Sequence, residues 1–221
     1  FGGVSCQNCH MPEKDDGSHD HRFVGVDLDL TIPVDDNPSY IDVENLLSTS
    51  ANINFSILED EILNQISSGD TLSIPISVQS QTAHNFPSGT SFNREAWVEI
   101  KVSNNSNLIY ESGVVENHED LNYNDIDLLV FKSYLFDSNN NLTHNVTQVD
   151  SMVNYSLTPY QTRYKYYRIH IPDNIEGEVL VSARLLFRSF SPSFILDHHP
   201  EFINNLPIFE VDSITRIVNV E

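Results

Sequence analysis

Residues 162–187, TRYKYYRIHIPDNIEGEVLVSARLLF, contain two segments typical of neighbouring antiparallel strands. Both segments are rich in β-branched and aromatic residues, and PDNIEG between them is a turn signal. Side chains alternate between the two faces of a strand. The first segment is therefore expected to place two sets of residues on opposite faces: Arg163, Lys165, Tyr167 and Ile169 on one, and Tyr164, Tyr166, Arg168 and His170 on the other. We interpret this as ordinary sheet patterning.

The same pattern recurs along most of the chain. Further strands are predicted at 53–60, 71–80, 95–103, 107–115, 127–137 and 141–149, with a last one at 213–218. Turn signals such as SSGD, SNNSN and DSNNN separate them. Their spacing predicts a mainly β protein, an antiparallel sandwich of immunoglobulin-like type. The Cys…Trp…Cys signature of true immunoglobulin domains is absent, because both cysteines precede the sandwich.

Two regions of the chain differ in composition and in hydrophobic periodicity. Residues 1–37 are rich in Gly, Asp and His and show little periodicity, which predicts an irregular segment wrapped around a ligand. Residues 38–221 are predicted to form the sandwich domain, with one short helix near 39–49. Ser39 is the expected N-cap of that helix. Residues 192–207 are expected to form a short helix or an irregular loop.

The net charge and the hydrophobic content of the chain limit the partners that we expect. The 221 residues carry a formal net charge of −21, and 39% of them are hydrophobic. An acidic surface repels phosphates and anionic lipids, so we expect neither nucleic acid nor an anionic membrane as partner. No stretch approaches the ~20 apolar residues of a membrane helix. Because the chain starts at Phe1 without a signal peptide, we interpret it as a mature or trimmed product, or the end of something longer.

Residues 1–37 contain several aspartates, whose carboxylates could bind calcium. They are Asp15, Asp16, Asp20, Asp27, Asp29, Asp35 and Asp36. EF-hand spacing is absent, so a solvated acidic face is the favoured interpretation. The sequence also lacks a nucleophile elbow, a P-loop and a dinucleotide-binding motif.

The segment Cys6-Gln7-Asn8-Cys9-His10 allows three interpretations. Two thiols at this spacing can each add to a vinyl group of a haem, and the adjacent His10 then becomes the proximal iron ligand. Alternatively, the two thiolates could bind zinc together with His19 and His21, or with His10 itself. The third interpretation is a redox dithiol, which favours a strand–helix setting. Covalent haem c is favoured because no other cysteine in the chain competes for the role.

A family resemblance adds to this. The segments SCQNCHMP, HDHRFVG, AHNFPSGTSFNREAWVEIKVSNNSNLIYESG, LLFRSFSPSFI and LPIFEVD resemble the C-terminal portion of multihaem c-type cytochromes. In that family, a last Cys-x-x-Cys-His-Met-Pro haem site precedes an immunoglobulin-like β domain. Family members carry several haems, whereas this chain has one motif. The resemblance implies a chain of haems in a longer protein or assembly, in the periplasm or at the cell surface.

A haem iron held by His10 has a second axial position, which electron-transfer cytochromes fill with His or Met. Met11 neighbours His10 and cannot reach the opposite face of the haem. Met152 is expected to lie in the core or at the rim of the sandwich.

Histidines are therefore the expected second ligand. His21 follows His10 by ~11 residues, a tether that spans over ~30 Å when extended. His19 has the same reach and is the weaker candidate. His84 lies in AHNFPSG, a loop made stiff by Pro87, and its similarity to the family's GHNxPTG block implies an iron ligand, although Ala83 replaces the usual Gly. The remaining histidines are expected to be solvated or structural: His118, His144, His170, His198 and His199.

One local haem needs one distal ligand, yet His21 and His84 both occur in ligand-like contexts. We expect the spare histidine to reach a haem outside this segment. Bis-His ligation leaves no open coordination position, so the sequence predicts an electron carrier and not an enzyme. Its partners would be other cytochromes or haem domains, including copies of itself. Two alternatives remain: a β-sandwich binding or assembly module with a structural haem or zinc site, and the terminal segment of a multihaem reductase.

Overall fold

The chain folds as a mainly β structure. The computed structural model describes residues 5–56, 65–116 and 118–221. Its helices are α1 (Cys6–His10), α2 (Tyr40–Ser48) and α3 (Pro192–His198), with 3₁₀ turns at Val34–Asp36, Val146–Gln148 and Pro200–Asn205. Its strands are β1 (Ala51–Phe55), β2 (Gln65–Ile66), β3 (Thr71–Ser80), β4 (Glu95–Asn104), β5 (Asn107–Ser112), β6 (Leu129–Phe131), β7 (Ser133–Asp137), β8 (Val149–Asn154), β9 (Thr162–His170), β10 (Gly177–Arg188) and β11 (Phe209–Val220).

Two sheets face each other across one hydrophobic core. One has the order β1-β3-β9, and the other has the order β2-β11-β10-β4-β5, with β6 also paired to β4. All pairs are antiparallel except β2 with β11. If β1, β3, β4, β9, β10 and β11 are taken as strands A, B, C, E, F and G, this is the A-B-E and G-F-C pairing of an immunoglobulin-like sandwich. The predicted fold class is therefore confirmed.

The core draws on both sheets. Its members include Ile74, Ile76, Val78, Tyr167 and Ile169 from the smaller sheet, and Val98, Ile100, Val102, Val181, Ala183 and Leu185 from the larger one. The two faces predicted for β9 are also confirmed, because Tyr167 and Ile169 are buried while Tyr164 and Tyr166 are exposed. Helix α2 begins after Ser39, as predicted, and buries Val43 and Leu47 against this core. The segment after β10 contains the predicted short helix, α3.

Two predictions about the 127–154 region were wrong. The strand predicted at 141–149 is absent up to residue 148: the Asn145 side chain accepts a hydrogen bond from the Thr147 amide at 3.0 Å, and this local bond caps a 3₁₀ turn. Strand β8 follows the turn and pairs with β7 in a separate two-stranded sheet. Met152 lies on β8 with 57% of its surface exposed, so it is not in the core.

The strand predicted at 127–137 is divided into β6 and β7 at Lys132. The strand predicted at 53–60 is present as β1 up to Phe55, and its residues 57–60 lie outside the described residues. Within the described ranges, none of the helices has the length and apolar character needed to cross a bilayer.

A buried charge network lies at the start of β4. The Glu95 carboxylate is fully buried and accepts hydrogen bonds from Lys132 Nζ and Arg188 Nε, each at 2.7 Å, and from the Tyr123 hydroxyl. Burial by itself raises the pKa of Glu95, but the two cations and the hydrogen bonds outweigh burial and lower it overall. Arg188 also lies 5.2 Å from the Trp97 ring centroid. Three separate parts of the chain thus meet at one carboxylate.

We predict that Glu95→Gln lowers the free energy of unfolding at pH 7 by about 3–5 kcal/mol, because it leaves Lys132 and Arg188 buried without a counter-charge. The folded-state pKa of Glu95 lies below its ordinary 4.5. Its contribution is therefore present above that pH and lost as the pH falls through the folded pKa. Urea unfolding at pH 7 and at stepwise lower pH should show the gap between variant and native protein shrinking below about pH 4.5.

Glu210→Gln is the matched control, since its 3.5 Å ion pair with Arg184 is exposed on both sides and exposed pairs contribute at most about 1 kcal/mol. An equal loss in both variants, or a gap that does not change with pH, would contradict the assignment.

Candidate functional site

Helix α1 contains the two cysteines and the histidine of the Cys-x-x-Cys-His motif. Cys6, Cys9 and His10 have i, i+3 and i+4 spacing, so one helical turn places them on the same side. The turn is closed at its start, where the Ser5 amide donates to Asn8 Oδ1 at 2.7 Å. Both thiols are unpaired and exposed. This is the arrangement that attachment of a planar group through both sulfurs, with the imidazole beneath it, would need.

The ring of His10 is oriented by the segment that follows it. Its Nδ1 lies 3.1 Å from the Val24 carbonyl oxygen. A carbonyl can only accept, so Nδ1 is the donor in this contact, and in the neutral ring Nε2 then holds the lone pair. Phe23 stacks on the ring with 4.6 Å between centroids. Phe23 has φ +50°, which is unusual for an aromatic residue, and 56% of its surface is exposed. The local backbone is thus bent to hold an aromatic ring against His10.

His84 lies in the loop that follows β3. Its Nδ1 is 2.9 Å from the Asn85 carbonyl oxygen, which leaves Nε2 as the free nitrogen here too. The Thr82 hydroxyl donates to the His84 carbonyl at 2.7 Å. The buried residue Phe86 exchanges two backbone hydrogen bonds of 2.8 Å with Leu157, so the loop is fixed to the sandwich directly after His84.

The structure brings His10 and His84 together. Their ring centroids are 6.3 Å apart and their planes differ by 22°. Two metal–nitrogen bonds of about 2 Å each, on opposite sides of one ion, place two imidazole centroids about 6 Å apart. The observed centroid separation matches this spacing. A separation of 74 residues along the chain is closed only by the tertiary fold.

The other candidate histidines are placed differently. His19 is exposed, and its Nδ1 lies 2.8 Å from the Met11 carbonyl. His21 is also exposed. Among the described residues, the ring contacts of His10 are with Phe23 and His84. A hydrogen bond from Nδ1 to a backbone carbonyl does not by itself mark a candidate ligand, since His198 makes one to Phe194 at 2.9 Å. His84 differs from the other histidines because its ring lies close to that of His10.

Charged side chains of the front segment are engaged locally. The carboxylates of Asp16 and Asp29 accept hydrogen bonds from Ser18 and Thr31, and hydrogen bonds from Arg22 lower the pKa of Asp20 to about 2. Within residues 5–56, 65–116 and 118–221, no group of three or more His, Cys, Asp or Glu side chains is arranged to hold a metal ion. This gives no support to a zinc cluster or a calcium site.

Hydrogen bonds from sandwich side chains hold the irregular segment in place, and the sequence did not predict them. The Ser189 hydroxyl donates to the Val26 carbonyl at 3.0 Å, and Asn205 Nδ2 donates to the Leu30 carbonyl at 2.8 Å. Val24, Val26 and Leu28 also pack with the main hydrophobic core. Alternating apolar residues at 24, 26 and 28 were the signal that could have indicated this contact. The backbone that orients His10 is therefore continuous with the sandwich.

Gly89 and Arg94 close the loop that carries His84. Gly89 has φ +64°, and a Cβ there would lie 2.8 Å from Arg94 Nη1. Arg94 Nη1 donates to the Ser88 carbonyl at 2.6 Å. A residue without a side chain is therefore needed at this point, both for the left-handed backbone and for the approach of the guanidinium.

A solved structure is similar in fold over almost the whole chain. No protein-family model matches the chain, and no curated protein matches it. The structure is similar to that of a penta-haem cytochrome c552 from Thermochromatium tepidum, with a TM-score of 0.67 and 18% identity over 98% of this chain and 48% of that one. At this identity the similarity concerns the fold. The chain spans about half the length of that cytochrome.

Other solved structures are more distant. The CARDB domain of a Pyrococcus furiosus protein matches with a TM-score of 0.31 and 10% identity, over 78% of this chain and 86% of that one. The alkylpurine DNA glycosylase AlkC of Pseudomonas fluorescens matches with a TM-score of 0.33 and 10% identity, over 81% of this chain and 32% of that one. Similarities at this level support no conclusion about this chain.

We predict that Gly89→Ala lowers the free energy of unfolding by about 1–2 kcal/mol, because alanine disfavours a positive φ and its methyl group would displace Arg94. Gly25→Ala is the matched control: its φ is not in the left-handed region and no atom lies within 4 Å of the added Cβ. Urea unfolding of both variants measures the difference. Equal stability of the two would show that the loop does not need its observed conformation.

Proposed function

We propose that this chain is an electron-transfer domain of a c-type cytochrome, with one haem attached through thioethers at Cys6 and Cys9 and ligated by His10 and His84. The observation that carries the proposal is the pairing of two imidazoles whose centroids are 6.3 Å apart, one of them adjacent to two exposed thiols on a single helical turn. The fold similarity to a penta-haem cytochrome supports it.

A haem bound there would supply a one-electron iron couple. The residues of the chain would do the rest. His10 and His84 would each donate Nδ1–H to a backbone carbonyl, which fixes the tautomer and the ring orientation and raises the basicity of Nε2. Occupation of both axial positions leaves none for a substrate. The domain is therefore proposed to carry electrons and not to catalyse a reaction.

The acidic surface bears on the potential. A net charge of −21 favours the ferric over the ferrous state and lowers the reduction potential. Thioether attachment, as the family resemblance implies, occurs outside the cytoplasm, so we propose a periplasmic or cell-surface location. Partners would be other cytochromes or haem domains, including neighbouring copies of the same chain.

His21 is proposed to serve a haem outside this segment, with His19 as the weaker candidate. Both are exposed, and both lie in the segment that follows the haem motif. The chain matches about half of a cytochrome that has five haems. That proportion supports a parent protein, or an assembly, that holds further haems within reach of this surface.

The first experiment is the visible spectrum of the alkaline pyridine-denatured protein, together with its intact mass. The chain should be produced with export and c-type maturation. We expect a c-type haemochrome and a mass increase of one haem. A colourless protein at the apo mass would overturn the proposal and leave a β-sandwich binding module, with Cys6 and Cys9 as a zinc-ligand pair or a dithiol.

Single variants then test the axial pair. We expect the native protein to be low-spin and to refuse carbon monoxide when reduced, because both axial positions are filled. His84→Ala should become high-spin and bind carbon monoxide, while His21→Ala and the control His170→Ala should behave as the native protein. Haem content in pyridine should be equal in all four.

Two results would change the assignment. Loss of the low-spin spectrum in His21→Ala with none in His84→Ala would make His21 the distal ligand. Carbon monoxide binding by the native protein would favour the terminal segment of a multihaem reductase.

A further inference from the structure

We propose that Arg94 is a positioning residue for the axial pair, joining the two backbone segments that orient His10 and His84. The inference rests on the proposed function. Arg94 directly precedes β4 and makes three hydrogen bonds through its guanidinium. Nη1 donates to the Ser88 carbonyl at 2.6 Å, Nε to Asp27 Oδ1 at 3.2 Å, and Nη2 to Asp27 Oδ2 at 2.5 Å.

Each partner of Arg94 belongs to one half of the site. Ser88 lies four residues after His84 in the same loop. Asp27 lies three residues after Val24, whose carbonyl faces His10 Nδ1. One guanidinium therefore connects the segment behind each imidazole, although Asp27 and Arg94 are 67 residues apart in sequence. A change in this contact would alter the relative position of the two rings without removing either ligand.

The chemistry of the contact favours arginine specifically. A planar guanidinium can bind both oxygens of a carboxylate and still present a further N–H to a carbonyl, whereas an ammonium is a point charge without this fork. The Arg94 side chain is 14% exposed, so it is held closely. Gly89 leaves the space that Arg94 Nη1 occupies, since a Cβ there would lie 2.8 Å away.

The fold has other attachments at both ends of this contact. Phe86 and Leu157 hold the His84 loop, and Ser189 holds Val26, independently of Arg94. Loss of the guanidinium should therefore loosen the ring geometry and leave the sandwich folded. This expectation distinguishes a positioning role from a purely structural one.

The test uses the full haem-loaded chain, the four single variants Arg94→Gln, Arg94→Lys, Asp27→Asn and Arg184→Gln, and the double variant that combines Arg94→Gln with Asp27→Asn. Arg184 is the matched control, because its guanidinium forms ion pairs with Glu99 and Glu210 on the larger sheet. Readouts are the electron paramagnetic resonance signal of the ferric state, carbon monoxide binding to the ferrous state, the midpoint potential and urea unfolding.

We expect Arg94→Gln to broaden the low-spin signal and raise the carbon monoxide affinity by about 10- to 100-fold, taking as a guide the size of the loss in metal affinity or activity when supports of metal ligands are removed. Asp27→Asn should act in the same direction, and the double variant should be no worse than the single ones. Arg94→Lys should recover part of the effect, and Arg184→Gln should have none.

The outcomes separate this inference from the proposed function. A native protein without haem c overturns both. A native low-spin protein whose Arg94→Gln and Asp27→Asn variants keep the native signal, potential and refusal of carbon monoxide overturns the positioning role alone. Should Arg94→Gln fail to fold, Asp27→Asn retains the Arg94–Ser88 bond and decides the question by the same readouts.

Discussion

A buried carboxylate cannot remain charged without partners, and the Glu95 carboxylate imposes this constraint on one end of the sandwich. Lys132 lies between β6 and β7, Arg188 ends β10, and Tyr123 comes from the connection between β5 and β6. All three must converge on Glu95 for its burial to be tolerated. The predicted strand is divided at Lys132, where β6 ends its pairing with β4 and β7 begins its pairing with β8.

The candidate site is built beside this network. Arg94 immediately precedes Glu95 at the start of β4. Glu95 binds Arg188 in the buried ion cluster, and Arg94 donates a hydrogen bond to the loop of His84. The start of β4 is therefore attached both to the buried ion cluster and to the loop that contains His84. The irregular segment acquires its position in a similar way, through side chains of the sandwich that donate to its carbonyls. Loops carry the candidate ligands, and the sheets determine where the loops lie.

The proposed electron transfer requires little of the protein beyond a fixed geometry. A bis-imidazole site needs two rings held at one spacing and in one tautomer, and backbone carbonyls at Val24 and Asn85 do this without any titrating partner. The immunoglobulin-like fold serves many unrelated functions, so it does not itself indicate a redox role. The proposed redox role rests on the Cys-x-x-Cys-His motif, on the His10–His84 pair and on the sequence resemblance to multihaem cytochromes.

The sequence by itself determined the fold class, most strand positions and the presence of a Cys-x-x-Cys-His motif. These are local properties: alternation of side chains along a strand, turn residues between strands, and two cysteines next to a histidine. It failed at residues 141–149, where a side-chain bond from Asn145 competes with strand formation, and at Met152, whose strand lies outside the main core.

Only the tertiary structure distinguished His84 from His21. Reach along the chain favours His21, whereas contact through space favours His84, because folding closes a 74-residue separation that no local pattern encodes. Arg94 was invisible for the same reason, since its partners Ser88 and Asp27 meet only once the irregular segment lies against the sandwich.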